Sequence, residues 1–176
     1  LQKELNMSRG AMYRYFKNKE ELFIAVIDEY CFRLFERVLN NTNENLKVSE
    51  LIEVMFRKQK LMLNVFTRAG VTHTTFLNYT ALMIQAAKYY PDFLRRFRLI
   101  HNQLLSRWEV ALNNSIATME IKPDINVEIM SILFNSACIK ESSERNDDEE
   151  MFATNVQLDL ERRREVIDYL YNLIKV

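Results

Sequence analysis

Apolar residues recur along most of this chain at intervals of three and four, the spacing of one helix face rather than the alternation of a strand. Leu1 and Leu5 open a short piece that stops at Asn6, and Ser8 can cap the next. There Met12 and Phe16 share a face, while Arg9, Tyr13 and Arg14 lie off it. Asn18 opens a third helix, with Glu21 as partner in an asparagine form of the capping box and Glu20 near the positive end. Leu22, Phe23, Val26, Ile27, Tyr30, Leu34, Phe35 and Val38 continue it until the polar run NNTNEN at 40–45.

Beyond that run the pattern predicts five more helices. Leu51, Met55, Met62 and Phe66 mark one that closes near Gly70, and Phe76, Tyr79, Met83 and Ala87 mark another over 72–90. Pro91 ends it and opens the longest, over 92–118, with Phe93, Phe97, His101, Leu104, Trp108 and Leu112 as its stripe. KPD at 122–124 is the next breaker. Ile129, Ile132, Leu133 and Phe134 then predict a helix over 126–139, and Leu160, Val166, Ile167, Leu170, Tyr171 and Ile174 a last one over 159–175. Between these two, ESSERNDDEE at 141–150 has six acids against one arginine and reads as a solvated loop. The polar run divides the chain into two expected domains, 1–45 and 46–176.

Composition strengthens the class. Average usage would place roughly twenty glycines and prolines in a chain of this size, whereas its 176 residues hold two of each. A chain so short of turn formers is expected to be all-α. Net charge is zero, yet residues 1–19 hold Lys3, Arg9, Arg14, Lys17 and Lys19 against Glu4, so basicity is concentrated at one end. Cys31 and Cys138 stand far apart and read as core thiols of a reducing compartment. No apolar run reaches the ~18 residues needed to cross a bilayer, and nothing reads as a signal peptide. A cytoplasmic protein without membrane contact is therefore expected. The opening LQKEL reads as mid-helix, so the sequence is expected to begin inside its first module.

Two short helices around a tight turn, the second rich in Arg and Tyr, form a helix-turn-helix pattern, which binds double-stranded DNA by setting its second helix in the major groove. The string LQKELNMSRGAMYRYFKNKEELF resembles the DNA-binding signature of the TetR family of transcriptional regulators, in the order and spacing of Ser8, Arg9, Gly10, Tyr13, Phe16, Lys19, Glu20, Glu21 and Leu22. The resemblance implies that Ser8, Arg9 and Gly10 face the groove, that Tyr13 and Lys19 contact phosphate, that Tyr15 reaches the backbone beside them, and that Met12 and Phe16 are core positions; exposed Arg14 is a further candidate for DNA binding. Asn6 and Met7 replace the usual Gly-Val turn, and the family's first helix is missing from this chain. The resemblance further implies a regulatory, ligand-binding and dimerisation domain, a homodimer through the last two helices, and a repressor released from its operator by a small molecule.

Met62, Phe66, Phe76, Tyr79, Met83, Phe97, His101 and Trp108 are the candidate pocket lining, and their chemistry suits a hydrophobic or aromatic ligand. Taken singly, each fits a plain core as well. For His101 a hydrogen-bonded interior position is the plainer reading, and for His73 a surface one. No nucleophile elbow, phosphate-cradling glycine loop or His/Cys ligand spacing is present. No enzyme, cofactor or metal is therefore expected. The alternative is a helical small-molecule carrier or protein-interaction bundle with a vestigial helix-turn-helix.

Overall fold

The computed structural model describes residues 14–33, 36, 45–68, 83–139 and 152–176; for 30–31, 62–68, 139 and 152–159 it describes the backbone alone. Among these residues every regular element is helical, with one isolated antiparallel bridge, Ile121 to Lys175, as the exception.

Helix α1, Lys19–Ile27, begins at Asn18, whose side chain accepts from the Glu21 amide at 2.8 Å. The Glu21 carboxylate reaches back to the Lys17 amide at 2.7 Å, one residue earlier than the usual capping box. The helix widens directly into a π turn, Asp28–Phe32, closed by the Arg33 amide donating to the Asp28 carbonyl five residues back. Residues 14 and 15 form a turn, where the sequence predicts the last helical positions before Phe16.

Among the described residues of the body there are four long helices: α2, Val48–Arg68; α3, Phe93–Ala117; α4, Val127–Ile139; and α5, Phe152–Ile174. Each packs against two others, in the cyclic order α2, α3, α4, α5 and back to α2. Inside that ring Leu51, Ile52, Phe56, Trp108, Leu112, Phe134, Leu160 and Ile167 form a buried core. A second cluster joins Ile27 and Phe32 to Ala86, Phe93, Ile100 and Leu104, and Met55 packs against both. The helix that leaves the N-terminal module is thereby fastened to α3 and to the helical residues 83–89.

Three expectations need correcting. The last helix begins at Phe152, seven residues before the predicted start. Pro91 does not open α3: the Phe93 amide donates to the Tyr90 carbonyl at 3.2 Å, with Asp92 at φ 65, ψ 3. Proline followed by a left-handed residue is the signature of a type II turn, which makes a corner ahead of the helix. Finally, His101 is exposed and Phe97 is 41% exposed, so neither lies on the buried stripe. Each i+4 step advances about 40° beyond a full turn, and two such steps from Phe93 carry the stripe off the core. The buried face instead runs through Phe93, Ile100, Leu104, Trp108, Ala111 and Ser115.

Candidate functional site

The N-terminal positions expected to meet DNA are only partly within the described residues. Ser8, Arg9, Gly10 and Tyr13 lie outside them, as does Met12. Arg14 and Lys19 are exposed, and Tyr15 is 75% exposed. Lys19 heads α1, where the capping of Asn18 and Glu21 fixes the backbone that carries its ammonium group. Half-buried Phe16 stands apart from these three, consistent with its expected inward side.

Residues 1–26 match the family model for bacterial regulatory proteins of the tetR family. The N-terminal segment is thus similar to the DNA-binding module of that family. The match indicates an N-terminal helix-turn-helix module, followed by a body that is helical among the described residues. No curated protein and no solved structure matches the chain. No described helix is long and apolar enough to cross a membrane.

Among the described residues, the helix that continues from the matched segment meets the body through a polar contact centred on Arg96. Arg96, on the first turn of α3, donates through Nη1 to Asp28 Oδ1 and, at 2.7 Å, to the Tyr90 hydroxyl. That hydroxyl donates in turn to Asp28 Oδ1 at 3.0 Å. The guanidinium lies 4.1 Å from the centre of the Phe32 ring, and Nη2 approaches Glu36 at 3.6 Å. Burial raises the Tyr90 pKa, aided by its bond to Asp28. For Arg96 burial acts the other way, but the bonds to Asp28 and Tyr90 outweigh it and raise its pKa. The group is a cation at any working pH.

The candidate pocket residues divide. Phe76 and Tyr79, like His73, lie outside the described residues, and Met62 and Phe66 sit on α2 without described side chains. Met83 is half-buried and packs on the second cluster. Phe97 stacks on Phe93 at 5.9 Å, and Trp108 stacks on Phe134 at 5.0 Å in the main core. Cys138 is buried in that core as expected, and burial pushes its thiol up to about 12. The side chain of Cys31 is outside the described residues. Among the described residues no cluster of His, Cys, Asp and Glu side chains could hold a metal ion.

Sequence reasoning missed a polar node at the other end of the bundle. The Glu120 carboxylate accepts from the Ser49 amide at 3.3 Å, the Ser115 hydroxyl at 2.8 Å and the Tyr171 hydroxyl at 2.8 Å. Ser115 also accepts the Val48 amide at 2.8 Å, and Glu50 reaches back to the Lys47 amide at 2.9 Å. The amides around the start of α2 are thus satisfied by Ser115 of α3, by Glu120 just beyond it and, at Lys47, by Glu50 of α2 itself, with carboxylates at the positive helix end. Partners 5, 51 and 71 residues from Glu120 left no local signal in the sequence.

Proposed function

We propose that the chain is a homodimeric, ligand-responsive repressor of the cytoplasm, in which 1–45 binds operator DNA and 46–176 dimerises and senses a small molecule. The observation that carries the DNA reading is the tetR-family match over a basic segment whose described cations, Arg14, Lys17 and Lys19, are all exposed. Ser8, Arg9 and Gly10 read the groove, while Tyr13, Arg14, Tyr15 and Lys19 hold the backbone. The inducer is hydrophobic or aromatic, and its binding selects a conformation that misplaces the two recognition helices. Such control requires different ligand affinities in the two states.

Support for the dimer comes from α4 and α5, which pack together yet leave Ile129, Ile132, Leu133, Val166, Tyr169 and Leu173 each more than 40% exposed. Apolar faces of that extent on adjacent helices suit a four-helix interface with a second copy. Replacing Ile132 with Asp is expected to yield monomers in sedimentation, and an unchanged dimer would remove this surface from the proposal.

Titration against DNA from upstream of its own gene, at two salt concentrations, tests the DNA reading. Sequence-selective, salt-sensitive binding is expected. Lys19→Ala should weaken all sequences alike and reduce the salt slope by about one, whereas Arg9→Ala should relax sequence preference. Weak binding equal on any DNA would count against the regulator.

A further inference from the structure

We propose that Arg96 positions the connecting helix on the regulatory body, by clamping a three-residue stripe that the π turn keeps in line. The stripe is Asp28, Phe32 and Glu36, spaced by four. Arg96 meets the first by a charge-assisted hydrogen bond, the second through its ring face and the third at 3.6 Å. Along an uninterrupted α-helix such positions drift sideways by about 40° per step, and one planar guanidinium would lose the third. A π turn holds more residues per turn and rotates the chain back. Its closing bond, Arg33 amide to Asp28 carbonyl, falls within the stripe.

The clamp is also tied to a corner. Tyr90 stands just before the type II turn and Arg96 just after it, yet both bond the same Asp28 oxygen. Opening that corner separates Tyr90 from Arg96, so movement in the helical residues 83–89 is delivered directly to Asp28. Phe32 is 1% exposed between Tyr90 and Phe93, at 5.9 and 5.4 Å, so the apolar side of the contact follows the same corner. This role rests on the reading of a DNA-binding module governed by the body, but the clamp itself can be measured without DNA.

Hydrogen exchange read by mass spectrometry on the wild type, Arg96→Met, Arg96→Lys and Asp28→Asn tests it. In Arg96→Met the amides of 19–33 are expected to exchange about tenfold faster, with α4 and α5 unchanged. Arg96→Lys, which keeps the charge without the planar fork, should recover only part of the protection. Asp28→Asn should add little on top of Arg96→Met. Unchanged exchange in 19–33, or equal acceleration in all helices, would overturn the proposal. Where the wild type binds DNA, Arg96→Met should weaken it severalfold at an unaltered salt slope, because no phosphate contact is lost. Failure of the wild type to bind DNA would instead remove the regulator reading and leave the clamp to be judged on exchange alone.

Discussion

The Trp108 indole lies flat on the Phe134 ring, centroids 5.0 Å apart and planes within 13° of parallel, joining α3 to α4 at the centre of the bundle. Both rings are almost wholly excluded from solvent. Phe134→Ala is expected to cost about 3–5 kcal/mol, the range for deleting a buried aromatic ring. Because Trp108 is the single tryptophan of the chain, denaturant unfolding followed by its fluorescence reports the loss directly. A change below about 1 kcal/mol would place the core elsewhere.

Glu120 should give the protein an acid-sensitive limb. Burial pushes its pKa upward, but hydrogen bonds from Ser49, Tyr171 and Ser115 outweigh this and hold it below 4.5. A carboxyl depressed in the folded state binds fewer protons there than in the unfolded chain. Its contribution is therefore complete above about 4.5 and is lost as pH falls through the lower folded value. Glu120→Gln should cost about 1–2 kcal/mol near neutrality and flatten this limb in thermal melts at pH 3 to 7.

Met119 ends α3 in a Schellman motif. Its amide donates to the Ile116 carbonyl at 3.0 Å and the Glu120 amide to Ser115 at 2.9 Å, with Met119 itself at φ 57. That position favours glycine, because a Cβ there costs about 1–2 kcal/mol. Since the Met119 side chain is 82% exposed, little packing is lost with it. Met119→Gly should stabilise the fold by about 1 kcal/mol, visible as a rise of about 2–4 °C in melting temperature.

Cys138 should be chemically quiet in the native state. A thiol pushed from 9.0 to about 12 holds roughly a thousandfold less thiolate near neutrality. Peptide mapping after brief iodoacetamide treatment should find Cys138 unmodified when folded and modified in denaturant. Rapid native labelling would show that the interior around it opens readily.

Where local pattern sufficed, the helices were legible in the sequence. Phe93 to Ala117 lies within one residue of its predicted bounds, and Asn126 accepts the Ile129 amide at 3.0 Å to start α4 where expected. The early start of α5 had a signal in Phe152, Val156 and Leu160, spaced by four, which the acidic run before them obscured. The exposure of His101 followed from extending one spacing too far around α3. For the proposed interface with DNA, the string from Ser8 to Leu22 carried the reading, since its residues are neighbours in sequence. Arg96 had no such marker: its partners Asp28 and Glu36 stand 68 and 60 positions away, and only packing brings them together.

The cyclic arrangement of the four long helices also bears on how the chain reaches its native state. The α3 and α4 pair is joined by a short connection and can form early, whereas Arg164 on α5 meets Glu53 on α2 at 2.6 Å across 111 residues. Closing so long a loop is entropically costly and is rewarded only once both helices have a surface to dock on. The contact between the first and last helices of the ring then belongs to the downhill side of the folding barrier. Glu53→Ala should accordingly hasten unfolding while leaving the refolding rate nearly unchanged. The seam between α2 and α5 is thus expected to close last and open first.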